Sequence, residues 1–371
     1  MTGVLVHEWI AQSGGSENVL EAMSGVFPEA DVVCLWNDST GRFQPESLHE
    51  TWLSRTPLRR SKMVALPFMM PTWKRRADRG YDWALISSHL FAHHARFGEE
   101  GPDFRRFVYV HTPARYIWSP ELDGRGQGRV ARGLASVLKP LDRRAAKDRA
   151  HRTSYAANSA FIRDRIADCW QVPSRVIYPP VDVTAIQSVD DWRTRLTDQE
   201  QHELAALPKE FVLGASRFVP YKRLDLVIRA GEAAGRPVVL AGRGPELRRL
   251  QELAREASVP VHFVDYPSTE LLHALYQATA VLVFPAIEDF GIMPVEAMAA
   301  GAPVLAHQIG GTAETVLPGE TGALTDFRSA AEICEGVETA VSTEREARRV
   351  HAAKFSTERF AAEVRSWVEE S

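Results

Sequence analysis

The sequence predicts an α/β protein with parallel sheets in two lobes, and three observations carry that prediction. Short apolar runs alternate with helical stretches from end to end, which is the rhythm of βαβ units. Several of the runs are apolar on successive residues, as strands covered by helices on both faces must be. The rhythm breaks once. Pro179-Pro180 opens a polar stretch, residues 182–208, with two acidic clusters and no strand-like run, after which a fresh βα series begins. A chain of 371 residues has room for two or three domains at roughly 150 residues each, and the single break selects two.

In the first lobe, residues 1–182, the strand-like runs are 4–10, 30–35, 83–87, 106–111, 154–158 and 175–178, with helical windows at 17–26 and 159–169. In the second, residues 183–355, strands are expected at 211–215, 237–241, 261–264, 280–284 and 303–306. Its helices are expected at 224–234, 246–257, 269–278 and 293–300. Each series has the succession of a Rossmann-like lobe. The last segment, from residue 356, sets Phe360, Val364 and Trp367 on one stripe, which predicts a terminal helix packed on apolar surface.

Apolar residues make up 45% and charged residues 25% of the chain, which excludes a disordered chain, a collagen-like fibre and a coiled coil. Residues 1–190 carry 25 Lys/Arg against 21 Asp/Glu, net +4, and residues 191–371 carry 19 against 27, net −8. Such a split suggests lobes with different partners. Cys34, Cys169 and Cys334 are odd in number and far apart, fitting neither a disulfide framework nor a zinc site. Residues 4–10 are too short, and too interrupted by His7 and Glu8, for a signal peptide. No apolar run approaches the ~18 residues of a membrane span. The expectation is a cytoplasmic protein able to sit peripherally at the inner membrane face.

Three segments carry chemistry-bearing residues. Gly14-Gly15-Ser16-Glu17 joins a strand to a helix, where backbone N–H groups can approach phosphate; a plain tight connection is the alternative. Arg217 and Lys222 stand just past a strand's carboxyl end, where open α/β sheets bind ligands. Two cations there can hold a diphosphate without a metal, Arg by its fork and Lys as a point charge; solvated loop charges are the alternative. After the strand ending at Phe284 come Glu288, Gly291, Pro294 and Glu296. Glu296 is expected in the first turn of a helix, and two carboxylates at a helix start accept hydrogen bonds from hydroxyl pairs.

The last segment, Glu288-Asp289-Phe290-Gly291-Ile292 through Pro294-Val295-Glu296 to Gly301, resembles the E-x7-E motif of retaining glycosyltransferases, and of glycosyltransferase family 4 in particular. Four more segments agree in order: Gly14-Gly15-Ser16-Glu17, His111-Thr112-Pro113-Ala114-Arg115-Tyr116, Ser216-Arg217 through Lys222-Arg223, and Gly310-Gly311 through Glu314. The resemblance implies a GT-B architecture, two Rossmann-like lobes facing across a cleft, with the terminal helix (356–371) crossing back to the first lobe. It implies that Arg217 and Lys222 bind the diphosphate of a nucleotide-sugar, Glu296 the ribose and Glu288 the donor sugar. Backbone at Asp289, Phe290, Gly291 and Ile292 approaches sugar and phosphates, with Ser216 beside them. The base lies near Gly242 and Tyr266, and Gly14 and Gly15 close onto the phosphates. His111 faces the sugar's C6 region, and His89, Arg115 and Tyr116 are acceptor-side candidates. The expected catalytic set is His111, Arg217, Lys222 and Glu288.

No Asp-x-Asp stands as a metal clamp in the second lobe, so no metal and no cofactor are expected, the nucleotide-diphospho-sugar being a co-substrate. The match is most like the family's mannosyltransferases, which implies GDP-mannose as donor and a glycan, lipid-linked or small-molecule acceptor. UDP-glucose or UDP-N-acetylglucosamine, a sugar-nucleotide epimerase, and a non-catalytic sugar-nucleotide-binding protein are the alternatives. His89, His93 and His94 have spacing that could seed a metal site, but no carboxylate or cysteine is near in sequence, so loop histidines or acceptor contacts are expected. Cys34 and Cys169 read as core thiols. Residues 55–79 hold eight cations against Asp78, around an exposed-looking apolar segment at 63–71. That pattern points to an anionic membrane surface; a soluble anionic acceptor or a solvated face are the rivals. No basic groove interleaved with aromatics appears, so nucleic acid is not an expected partner.

Overall fold

The computed structural model describes residues 2–39, 41–74, 80–97, 100–101, 103–119 and 129–369. The chain divides into two compact units, Met1–Pro180 with Thr357–Ser371, and Val181–Ser356. Each is a sheet of parallel strands covered by helices on both faces.

The first unit's sheet contains β1 (Gly3–His7), β2 (Asp31–Cys34), β3 (Leu48–Glu50), β4 (Trp83–Ser88), β5 (Arg105–Val110), β6 (Thr153–Ala157) and β7 (Arg175–Val176). Their order is β3-β2-β1-β4-β5-β6-β7, so the winding reverses between β1 and β4. In the second unit β8 (Val212–Ala215), β9 (Val238–Ala241), β10 (Val261–Val264), β11 (Val281–Phe284), β12 (Val304–His307) and β13 (Gly322–Thr325) run in the order β10-β9-β8-β11-β12-β13. There the reversal lies between β8 and β11. Such switch points open a crevice at the carboxyl ends of the strands, where ligands of doubly wound sheets bind.

Local chemistry explains the elements. The helix Ala160–Trp170 starts where Ser159 Oγ accepts the Ile162 N–H at 3.1 Å and stops at Gln171 in the left-handed region (φ 57°). Between these caps Ile162, Ile166 and Trp170 recur every four residues and are buried. The polar stretch after Pro180 is filled by helical turns at Val183–Gln187, Trp192–Arg195 and Asp198–Ala205. The last of these is opened by a reciprocal Thr197–Glu200 capping box. The terminal helix Thr357–Glu369 buries Phe360, Val364 and Trp367 on the first unit's sheet, with Trp367 edge-on to Phe107 and its Nε1–H donated to Ser154 Oγ at 2.7 Å.

Several elements were not expected. β3 and β13 are short and only partly apolar. Residues 63–71 belong to a helix, Lys62–Lys74, that contains Pro67 and Pro71. Its Ala65, Met69, Met70 and Trp73 are core residues, so only part of that segment is exposed. Arg75, Arg76, Asp78 and Arg79 lie outside the described residues. Cys34 and Cys169 are buried, and burial pushes the Cys169 thiol up to about 11. No helix among the described residues is long and apolar enough to cross a membrane.

Candidate active site

In the second unit the switch point collects the motif residues. Past β8 come Ser216 and Arg217, then a tight turn, Pro220–Lys222, and Arg223 in the left-handed region (φ 52°) starting the helix Leu224–Ala234. Past β11 comes Glu288. Lys222 Nζ lies 2.7 Å from Glu288 Oε1, with the two side chains only 12% and 19% exposed. The ammonium also stands 5.4 Å from the Phe284 ring centroid. This half-buried pair fixes a cation where β8 and β11 adjoin. Arg217 is exposed and donates from Nη2 to the Tyr221 hydroxyl at 2.9 Å.

Gly291 caps the helix Ile292–Ala300 in the left-handed region (φ 106°), where a Cβ would run into Thr312 Oγ1. The loop before it is tied down by the Gly311 N–H donated to the Glu288 carbonyl at 2.8 Å. The helix thus begins four residues after Glu288, and a helix N-terminus is a place suited to anions. Phe290 is buried. Glu296 is the fifth helical residue, in the second turn rather than the first, and burial pushes its carboxyl up to about 7. At the far side of β8, Gly242 (φ 140°) lets the β9 loop approach so closely that a Cβ would meet the Ser216 carbonyl. Beside it Arg243 forms a two-bond ion pair with Asp265, at 2.6 and 3.0 Å, and its guanidinium lies 5.2 Å from the ring of Tyr266, which is 72% exposed. That exposed ring is a flat face available for stacking.

In the first unit the residues at the switch point form a network of imidazoles. Ser87 Oγ lies 3.0 Å from His7 Nδ1 and 2.8 Å from His111 Nε2. One hydroxyl between two such nitrogens donates to one and accepts from the other, so the tautomers of His7 and His111 are coupled. Burial, with neighbouring histidines, lowers His7 to about 4 and His111 well below its ordinary value, leaving both neutral at pH 7. Burial alone would raise the Glu8 carboxyl, yet His89, His7 and the N–H groups of Leu90 and Ala92 hold it below its usual range. His89 lies edge-on to Trp9 at 4.6 Å, and its Nδ1 is 3.4 Å from Glu8 Oε2. Arg115 and Tyr116 lie on the short helix Arg115–Trp118, which begins four residues beyond His111. At Gly14 a Cβ would collide with the Glu17 carboxylate, which folds back to accept the Ala11 N–H at 3.2 Å. Gly14 thus precedes the helix in an extended conformation against the Glu17 carboxylate, while Gly15 is the first helical residue.

The expectation that no carboxylate accompanies His89, His93 and His94 is corrected by the fold. Parallel strands bring Glu8 to His89 from 81 residues away, and the helix Arg129–Lys147 brings Asp142 to His93 and His94. His93 and His94 are buried, not loop histidines at the surface. Asp142 also receives the indole N–H groups of Trp118 and Trp170, each at 2.7 Å. Burial would raise its carboxyl, but His93 and His94 hold it well below the usual range. The signals that could have found His7, Glu8 and Ser87 were present: each is a polar residue at the end of an apolar strand run, Val4-Leu5-Val6 or Ala84-Leu85-Ile86.

Over its whole length the chain is similar to solved structures. Anabaena HepE in complex with UDP-glucose matches at 18% identity and a TM-score of 0.68, with both chains fully covered. WaaG, a glycosyltransferase involved in lipopolysaccharide biosynthesis, matches at 16% and 0.65, again over both chains. At this identity the likeness shows the fold, which is GT-B with two Rossmann-like lobes. Among curated proteins, a GDP-mannose-dependent alpha-(1-6)-phosphatidylinositol monomannoside mannosyltransferase of Mycolicibacterium smegmatis is 32% identical over 184 residues, 45% of this chain and 47% of that one. A GDP-Man:Man(3)GlcNAc(2)-PP-Dol alpha-1,2-mannosyltransferase of Xenopus laevis is 33% identical over 192 residues, 46% and 37% of the two chains. The chain spans about half the length of the mycobacterial relatives it matches. Residues 197–357, the part that holds Arg217, Lys222, Gly242, Tyr266, Glu288, Gly291 and Glu296, match the family described as Glycosyl transferases group 1.

Proposed function

We propose that the chain is a retaining glycosyltransferase that moves a hexose from a nucleotide-diphospho-sugar to an acceptor hydroxyl with α-linkage, without a metal at the diphosphate. The observation that carries this reading is the Lys222–Glu288 pair beside the Gly291-capped helix, at the switch point of a unit whose sequence matches the group 1 family. Arg217, Lys222 and the helix N–H groups stabilise the negative charge that grows on the leaving diphosphate while the sugar gains oxocarbenium character. Glu288 orients Lys222 and contacts the sugar, and Glu296 takes the ribose hydroxyls. Tyr266 with Arg243 offers a face to the base. In a same-face transfer a phosphate oxygen of the donor takes the acceptor proton, so no carboxylate needs to act as nucleophile.

Mannose from GDP-mannose is the first donor to test, supported by the names of the mycobacterial and Xenopus relatives. The HepE complex makes UDP-glucose the next. The acceptor belongs to the first unit, with His111, His89, Arg115 and Tyr116 as its candidate contacts. Beside them, exposed Trp52, Met63, Val64 and Phe68 adjoin Arg55, Arg59, Arg60 and Lys62, which line a cavity of about 990 Å³. This combination suits peripheral docking on an anionic membrane face that carries a lipid-linked acceptor. Vesicles rich in anionic phospholipid should cosediment the wild-type chain, and Arg55→Glu with Arg60→Glu should release it; equal cosedimentation of the variant would remove the membrane from the proposal.

A panel of nucleotide-sugars incubated in EDTA, with and without glycan, polyol and lipid-linked acceptors, tests the reaction. Nucleotide release that rises with acceptor and persists in EDTA is the expected result. Sugar conversion that needs no acceptor would establish an epimerase instead, and complete dependence on added Mg²⁺ or Mn²⁺ would refute the metal-free diphosphate site.

A further inference from the structure

We propose that the first unit binds one divalent transition-metal ion through His7, Glu8 and His89. One nitrogen from each imidazole and one carboxylate oxygen lie within 4.8 Å of one another. Two histidines and a carboxylate form a donor set that holds zinc with a coordination position left open. His7 Nε2, on a fully buried side chain, and His89 Nδ1 are both buried and lack a hydrogen-bond partner among the described residues. Buried polar atoms are normally satisfied, so an orphan nitrogen on each imidazole of this cluster marks a missing partner.

The atoms behind these ligands are arranged as in metal sites. A ligating imidazole usually has its second nitrogen held by another group, and His7 Nδ1 is held by Ser87 Oγ at 3.0 Å. Glu8 Oε1 accepts the N–H groups of Leu90 and Ala92, each at 2.8 Å, while Oε2 accepts the His89 backbone N–H at 3.3 Å and stands 3.4 Å from His89 Nδ1, with lone pairs to spare for an ion. His89, with 19% of its side chain exposed, supplies the way in. Imidazole nitrogens select zinc, cobalt, nickel or copper over magnesium and calcium. The other cluster, His93, His94 and Asp142, lacks an entrance: all three side chains are fully buried.

Co²⁺ titration of EDTA-treated, desalted full-length protein tests the site without donor or acceptor, so its outcome is independent of whether the chain transfers sugar. The expected result is one equivalent of Co²⁺ per chain with visible d–d absorption, displaced by Zn²⁺, and at least a tenfold weaker affinity in His89→Ala with an unchanged melting temperature. X-ray absorption on the Zn²⁺-loaded wild type, which needs no variant, should show two imidazoles and a carboxylate at about 2.0–2.1 Å. A folded wild type that gives no saturable Co²⁺ spectrum, an affinity unchanged in folded His89→Ala, or a zinc shell without two imidazoles would each overturn the proposal.

Discussion

Glu296 shows how much one residue's surroundings decide. Burial alone pushes its carboxyl from an ordinary value of 4.5 up to about 7. The folded chain therefore holds a proton that the unfolded chain releases above about 4.5. The stability gained by holding it is complete below that pH and lost as pH rises through 7. Glu296→Gln cannot ionise, so it should melt higher than wild type at pH 8, and the difference should shrink by pH 5. A difference that is the same at both pH values would contradict the assignment. Accepting from both ribose hydroxyls at once favours the ionised form, so donor binding should tighten as pH rises through 7, and the glutamine variant should lose that slope. Lys222, Glu288 and Glu296 were legible in the sequence because they follow closely on two strands. Glu8 and Asp142 were not, because their partners arrive from 81 and 48 residues away, and spacing along a chain does not report on parallel pairing.

At the scale of elements, Asp142 is the pin that joins the helix Arg129–Lys147 to the turn Ala92–His94 and the helix Ala160–Trp170. Its removal leaves two indole N–H groups and two imidazoles buried without their acceptor. Asp142→Ala should cost about 3–5 kcal/mol, read by urea unfolding; a loss below about 1 kcal/mol would show that water replaces the carboxylate. Acid should also weaken this region. Burial lowers His94 from 6.5 to about 4, so between those values the unfolded chain takes up a proton that the folded chain refuses, and stability falls as pH drops. Strands were the most legible elements, since β1, β4, β5 and β11 each hold at least three successive apolar residues. The helix Lys62–Lys74 was hidden by Pro67 and Pro71, residues that normally argue against a helix interior.

At the scale of the molecule, the first unit is discontinuous: one face of its sheet is covered in part by the terminal helix Thr357–Glu369. Phe360, Val364 and Trp367 share one buried cluster with Trp83, Phe107 and Tyr109. Trp367→Ala should cost the first unit about 3–5 kcal/mol, and calorimetry should show its transition moving down while that of the second unit stays. The reverse pattern would contradict the assignment of this helix to the first unit. The charge split acquires a location as well. The second half is net negative, yet its cations Arg217 and Lys222 both follow β8 at the switch point, while the first half's described cations include a cluster at Arg55, Arg59, Arg60 and Lys62.

The central claim, that the second unit holds a nucleoside diphosphate through fixed cations rather than a metal, is tested most directly by calorimetric titration of GDP and UDP in EDTA. Wild type should bind one of them, and Lys222→Ala or Arg217→Ala should each weaken that binding by about 2–4 kcal/mol, roughly 30- to 1000-fold. Binding of equal strength in wild type and both variants, or binding that appears only when a divalent cation is restored, would contradict it.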